Sequence, residues 1–422
     1  MKIMSIVGAR PNFMKIAPII EAINTYNQSQ KSRGHPIDHI LVHTGQHYDE
    51  RLSEMFFDDF ALPRPGINLG VGSASHAEQT AEIMRRFESV LLQERPDVII
   101  VVGDVNSTIA CALVASKVEY PQTSKYRDPD KFFAHPPKVT MSAQVRRRPL
   151  IAHVEAGLRS FDRSMPEEIN RILTDAISDF LFTTENSAID NLVREGIPRE
   201  KIFFVGNVMI DTLLKYEQEV ENSKILQELG LLNDNKSHKK NDQTIPFGVL
   251  TLHRPSNVDN IYTFKNILEA LRTISKELPV IFPCHPRTRK RIYEFQLDSY
   301  FQDASCINDQ YQQDNNYIYW IEPLGYLDFI ALICSAGLVL TDSGGLQEET
   351  TVLGIPCITL RNNTERPVTV SHGTNVIAGT EKNDIVHNAL TKLNQESEPC
   401  SPPLWDGKAA HRIIDVLVTS ID

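Results

Sequence analysis

Leu338-Val-Leu-Thr-Asp-Ser-Gly-Gly-Leu-Gln-Glu-Glu349 changes character part-way along. The apolar run Leu338 to Leu340 reads as a buried parallel strand, Asp342-Ser343-Gly344-Gly345 as a turn, and the residues from Leu346 to Leu353 as a helix. A strand that hands over to a helix through small residues leaves the first helical N–H groups unpaired. Those groups, with the positive end of the helix dipole, form a seat for phosphate. Ser343 adds a hydroxyl, Gly344 and Gly345 let a ligand approach the main chain, and Glu348 or Glu349 could hold a pair of sugar hydroxyls. The plainer alternative is a tight turn with Ser343 as N-cap and the acids complementing the dipole.

Outward from this stretch, 422 residues leave room for two or three domains with separate cores. The net charge of −11 argues against nucleic acid as main partner, since phosphate backbones are met by basic surfaces. A small phosphorylated ligand needs only a few placed cations. Met1-Lys-Ile-Met-Ser-Ile-Val runs straight into a strand pattern, and no later apolar run is long enough to span a bilayer, so the chain reads as cytoplasmic with no membrane partner. The cysteines (111, 284, 306, 334, 357 and 400) are scattered. They read as reduced, several of them as small core residues in apolar runs, and nothing completes a metal set around Cys284-His285.

Strands are expected at Lys2–Val7, His39–His43, Val98–Val102, Leu150 onward, Phe180–Thr183 and Ile202–Val205. Helical patterns such as Met14 to Ala22 lie between them, which calls for a parallel sheet covered on both faces. Gly8-Ala-Arg-Pro11 lacks the glycine spacing of a dinucleotide fingerprint and instead carries Arg10, with Lys15 soon after. Phe56, Phe57 and Phe60 read as core. Tyr120 to Arg148, polar and ending in three arginines, is long for a helix-to-strand connection and is expected to be a surface insertion away from the crevice.

A second unit is read from residue 211 to 385. Asn233 to Gln243 is expected to be an exposed loop, with strands at Pro246–Leu252, Val280–Pro283, Tyr317–Ile321, Leu338–Leu340 and Pro356–Leu360. Residues 386–422 read as helices, the Trp405 to Ile421 tail being amphipathic and returning to the first domain, 1–210. Polar residues recur at strand carboxyl ends: Arg10, Asp104 and Glu155 in the first half, His253, Ser343 and Arg366 in the second. Two doubly wound domains facing each other would gather them in one cleft.

Gly8-x-Arg10-Pro11, Thr44-Gly-Gln-His47, Gly103-Asp-Val-Asn-Ser-Thr108, His153-Val-Glu-Ala-Gly-Leu-Arg159, Pro166-Glu-Glu-x-Asn-Arg171, Leu252-His-Arg254, Ser343-Gly-Gly-x-Gln-Glu-Glu349 and Thr364-Glu-Arg-Pro367 occur in this order. Together they resemble the non-hydrolysing UDP-N-acetylglucosamine 2-epimerases. The resemblance implies two Rossmann-like domains of GT-B type facing across a cleft, a homodimer and a UDP-sugar substrate. It implies that Ser343, Gly344 and Gly345 hold the diphosphate and Glu349 the ribose, that Arg10 and Arg366, with Lys15 nearby, meet phosphates or sugar, and that Phe329 and the main chain at Leu324 pack on uracil. Asp104, Glu155 and Glu167 become acid/base carboxylates, His253 contacts the leaving phosphate, and Arg171 joins the substrate site.

The implied chemistry needs no cofactor and no metal. The C2 proton becomes removable only as the bond from C1 to UDP breaks, so stabilising the departing diphosphate and placing a carboxylate near C2 are the two tasks. For the acids, the plainer alternative is N-capping or a buried ion pair with Arg159 or Arg171. Other readings of the same residues are an epimerase of a related UDP-diacetamido sugar or uronate, a hydrolysing epimerase, a GT-B glycosyltransferase and a non-catalytic sugar-nucleotide sensor.

Overall fold

The structure is a computed structural model that describes residues 1–29, 36–46, 60, 63–120, 148–232, 244–304, 317–395 and 399–421. The chain divides into two compact units, Met1–Leu214 with Pro403–Asp422, and Lys215–Pro402. The first holds a parallel sheet of β1 (Lys2–Val7), β2 (Asp38–His43), β3 (Ile67–Asn68), β4 (Val98–Val102), β5 (Leu150–Val154), β6 (Phe180–Thr183) and β7 (Ile202–Phe204). Their order is β3-β2-β1-β4-β5-β6-β7. The centre is β4, all five of whose residues are β-branched and buried. Branching at Cβ suits the pleat, and burial on both faces requires helices above and below. Each such side chain contributes about 1.5–3 kcal/mol relative to exposure.

The second unit repeats the plan with β8 (Gly248–Thr251), β9 (Val280–Pro283), β10 (Phe301–Asp303), β11 (Ile318–Ile321), β12 (Leu338–Thr341), β13 (Cys357–Thr359) and β14 (Asn375–Ile377). Their order is β10-β11-β9-β8-β12-β13-β14, all pairs parallel. Each sheet reverses direction of growth once, between β1 and β4 and between β8 and β12. In an open α/β sheet such a switch point opens a crevice beyond the strand carboxyl ends. Register levels those ends: Val102 lies opposite Val154, and Thr341 opposite Thr251.

The unit boundary lies after Leu214, where the sequence reading sets 211, and the return begins at Pro403 and not at 386. The helix Lys382–Leu393 stays in the second unit, because Ile385 and Ala389 join its core. In the first unit the last helix, Ala409–Ile421, packs on Arg10–Ser29. Asp211 caps it, accepting from the N–H groups of Ala409 (3.1 Å) and Ala410 (2.8 Å). Trp405 precedes this helix, buried, with its indole N–H donated to the Thr184 carbonyl at 2.8 Å.

The segment read as an insertion lies outside the described residues except at its ends. Tyr120 is buried with its hydroxyl on the Pro96 carbonyl, and Arg148 pairs with Asp179 at 2.7 Å. The Asn233–Gln243 loop, Phe56 and Phe57 also lie outside, while Phe60 is buried. Among the described residues no helix is long and apolar enough to cross a membrane.

Candidate active site

In the first unit the site is built from the turns after β1, β4 and β5. Asn12 locks the first of these: its Oδ1 accepts from the N–H groups of Gly8 and Ala9, and its Nδ2 donates to the Val102 carbonyl at 3.1 Å. That tie joins the ends of the two switch-point strands. The helix Arg10–Ser29 begins here with Pro11 in its first turn, earlier than the apolar pattern suggests, and carries Lys15 inward. The Arg10 side chain is outside the described set.

Lys15 Nζ lies 2.5 Å from Glu155 Oε2, with both residues buried. Removing either charge from water costs several kcal/mol, so each is tolerated because the other is there. Glu155 adopts a φ of +68°, which a residue with a side chain rarely takes. Such strain, about 1–3 kcal/mol, collects where surroundings over-determine a residue for function. Gly103, at φ +67°, leaves room for the pair: a Cβ there would stand 3.0 Å from Lys15 Nζ.

Asp104 follows at once. Its carboxylate is 3.1 Å from Arg171, and its carbonyl accepts from the Asn170 amide at 2.9 Å. Arg171 is buried and also pairs with Glu168 at 2.9 Å. Glu168 in turn accepts from Ser160 and from the Phe161 N–H, so the second acid of Pro166-Glu-Glu holds the loop. Glu167 is half-buried in the first turn of the helix Pro166–Ile177, where the dipole favours a negative charge. Beneath these turns the buried His153 links Asp175 (2.7 Å) to the Gly103 carbonyl (2.8 Å). Asp175 also receives Arg159 at 2.7 Å. Burial pushes the Asp175 carboxyl up, but His153 and Arg159 outweigh it and hold it below its ordinary value.

In the second unit the opening stretch folds as strand, turn and helix: β12, then Gly344–Leu353 with Ser343 in the N-cap position. The side chain of Ser343 makes no capping bond. Its own N–H is donated to the Thr341 hydroxyl at 2.9 Å, which fastens the turn to the end of β12, so the alternative of a serine cap is not what the side chain does. Gly344 is needed for space, since a Cβ there would come 2.8 Å from Glu365 Oε1. Glu365 pairs with Arg361 at 2.8 Å and stands 3.6 Å from Arg254. Arg366 pairs with Glu348 at 2.7 Å, both buried. Glu348 is therefore committed to an arginine, and Glu349 accepts instead from the Tyr326 hydroxyl at 3.0 Å. Tyr326 opens the helix Tyr326–Cys334, which carries half-buried Phe329 just after half-buried Leu324. After β8, His253 is half-exposed, with Nδ1 2.9 Å from the buried carboxylate of Asp342.

Each half gathers its sequence-derived residues around its own switch point: Lys15, Asp104, Glu155 and Arg171 in one, His253, Ser343, Gly344, Gly345, Glu349 and Arg366 in the other. The family described as UDP-N-acetylglucosamine 2-epimerase matches residues 30–123 and 139–418. The chain belongs to the UDP-N-acetylglucosamine 2-epimerase family. The UDP-N-acetylglucosamine 2-epimerase of Methanocaldococcus jannaschii is 41% identical over 421 residues, 99% of each chain. The UDP-2,3-diacetamido-2,3-dideoxy-D-glucuronate 2-epimerase of Pseudomonas aeruginosa is 37% identical, again over 99% of each. A crystal structure of the Methanocaldococcus jannaschii enzyme in complex with UDP-GlcNAc and UDP superposes with a TM-score of 0.79 and 38% identity, over 99% of this chain and 100% of that one. The family match breaks off between residues 123 and 139, inside the Tyr120–Arg148 segment.

Within this family member, Asp342, Tyr326, Asn12 and Asp175 escaped the sequence reading of the site. Asp342 carried the one available signal, an acid at a strand carboxyl end beside the switch point. Burial pushes the Cys284 thiol up to about 12, away from the thiolate form that a nucleophile needs.

Glu349 gives a measurable pH effect. Burial pushes its carboxyl up to about 7, the Tyr326 hydroxyl pulling the other way. Unfolded, a glutamate titrates near ~4.3. Between those values the native state holds a proton that the unfolded state has lost, so stability falls as pH rises from about 4.5 towards 7 and levels off above. Glu349→Gln is expected to flatten that slope, measured as urea midpoints at pH 5 and pH 8. Equal midpoint differences in wild type and variant would exclude Glu349 as its source.

Proposed function

We propose that the chain interconverts UDP-N-acetylglucosamine and UDP-N-acetylmannosamine at C2, by elimination of UDP and its re-addition through a 2-acetamidoglucal. The observation that carries this reading is that each unit carries its own, differently equipped switch point. One bears carboxylates held beside cations, and the other bears an open helix N-terminus with Ser343, Gly344 and Gly345.

In the forward half, a carboxylate from Asp104, Glu155 or Glu167 takes the proton at C2. The C2–H electrons form the C1–C2 double bond, and the C1–O pair leaves with UDP. The helix N-terminus, Arg10, Arg366 and His253 receive the growing charge on the diphosphate. Glu349 holds the ribose, and Phe329 with the main chain at Leu324 packs on uracil. In the return half, a second carboxylate protonates C2 from the opposite face and the UDP oxygen adds to C1. Lys15 supplies the counter-charge of Glu155, and Arg171 that of Asp104, so each acid has a cation at hand as its proton comes and goes. The reading includes a cytoplasmic homodimer.

Proton NMR of UDP-N-acetylglucosamine incubated with the protein in D2O tests this. Deuterium should enter at C2, the manno isomer should appear, and total sugar nucleotide should stay constant. An unchanged C2 proton would refute catalysis, and steady release of UDP would mark a hydrolase. The likeness to the Pseudomonas aeruginosa enzyme favours one further substrate, UDP-2,3-diacetamido-2,3-dideoxy-D-glucuronate, to be run in parallel.

A further inference from the structure

Asp342 is fully buried at the carboxyl end of β12, and its carboxylate is met by nitrogens from the neighbouring strand end and the turn beyond it. Oδ2 accepts from the N–H groups of His253 (2.9 Å) and Arg254 (2.8 Å) and from the Asn257 amide (3.2 Å). Oδ1 stands 2.9 Å from His253 Nδ1. Asn257 is itself fixed by the Leu360 carbonyl at 3.0 Å, so β8, β12 and β13 all meet around this one carboxylate.

We propose that Asp342 is a positioning residue for the leaving-group step: it fixes the His253 ring with a proton on Nδ1 and aims Nε2 at the diphosphate. This rests on the reading of His253 given above. A carboxylate surrounded by donors can only accept, so the ring nitrogen facing it must carry hydrogen. Burial alone would push the Asp342 carboxyl up, but the imidazole and the two backbone donors hold it below its ordinary value, which keeps it an acceptor. Half of the His253 side chain is exposed, and Nδ1 is the nitrogen turned to Asp342. When a phosphate oxygen comes to Nε2, the ring lies between two anions and keeps a proton on each nitrogen. It then donates at both ends, which is the arrangement that stabilises charge growing on the departing phosphate. A neutral ring bonded to Asp342 through Nδ1–H would present the Nε2 lone pair to that charge and repel it, so the second proton is part of the arrangement.

Asp342 also braces the turn, so the test must separate aim from support. The full-length protein, labelled with 15N-histidine and saturated with UDP, is examined by NMR, with His253 assigned from His253→Ala. Expected is a protonated Nδ1 with its proton shifted strongly downfield, and a protonated Nε2. In Asp342→Asn the downfield signal should vanish. The variant should lose about 100-fold in kcat, the scale of losing one donor to a developing charge, with KM changed less than about threefold. Combined with His253→Ala, it should cost nothing further. An unprotonated Nδ1 in the UDP complex would overturn the proposal, as would a signal that survives Asp342→Asn or losses that multiply in the double variant. Because the spectrum of the wild type decides the ring's state, a variant that fails to fold leaves the proposal refutable. A dyad seen in a protein that performs no C2 exchange would refute the epimerase reading and not the dyad.

Discussion

Glu155→Gln is expected to lower C2 exchange by about 10³-fold, within the range set by losing a positioned proton acceptor, while UDP still binds through the second unit. The expectation combines three observations. Glu155 follows β5 beside the switch point, its backbone is held at φ +68°, and its carboxylate meets Lys15 at 2.5 Å. A structural ion pair alone would also explain the last of these, and removing one member of such a pair costs about 3–5 kcal/mol. Activity and stability must therefore be read separately. In Glu155→Gln both should fall, because Lys15 is left as a buried cation facing an amide. In the double variant with Lys15→Met, stability should recover much of the loss, since no charge is stranded, yet exchange should stay at the single-variant level. Urea unfolding and deuterium uptake on the same samples give both numbers. If the double variant regains exchange along with stability, Glu155 belongs to the scaffold and not to the chemistry. Asp104→Asn serves as comparison: its carboxylate keeps contact with solvent and its partner Arg171 retains Glu168, so exchange should collapse with little change in stability.

The parts of this molecule that were legible from the chain are those whose physics is local. Val98–Val102 announces a buried strand because every residue in it is β-branched, and the fold class follows from repeating that pattern between helices. Three edge strands were not legible. Ile67–Asn68, Phe301–Asp303 and Asn375–Ile377 have two or three residues each and mixed burial, too short for any period to show. The same distinction runs through the site. Strand ends locate Asp104, Glu155, His253 and Ser343, but their partners come from afar. Arg159, four residues from Glu155, turns to Asp175 and Glu195, while Glu155 finds Lys15 from the first helix. Asp342 sat in the quoted stretch as a turn residue, and only the level register of β8 and β12 places it against His253.

Asp175→Asn is expected to destabilise the first unit by about 3–5 kcal/mol, as breaking a buried charge network does, although Asp175 is assigned no contact with substrate. Its carboxylate meets His153, Arg159 and the Gly157 N–H while fully buried. Substitution by an amide removes the counter-charge from a buried guanidinium and leaves His153 facing a group that can also donate. The pH dependence follows from the direction of the shift. Burial raises the Asp175 carboxyl, but the imidazole and guanidinium more than offset it, so the native value lies below the unfolded one, about 3.9. Above that unfolded value the unfolded and native states are both ionised and the full stabilisation is present. As pH falls below it, the unfolded state takes up a proton that the native state refuses, and the contribution drains away towards the native value. Wild type should thus lose stability steeply on the acid side, whereas Asp175→Asn should start lower at pH 7 and change less between pH 5 and pH 3. The network also reaches the chemistry, because His153 holds the Gly103 carbonyl next to Asp104. The surviving folded fraction of the variant should accordingly show a lowered kcat. Unaltered kcat per folded molecule would mean that the Asp104 turn keeps its place without the histidine beneath it.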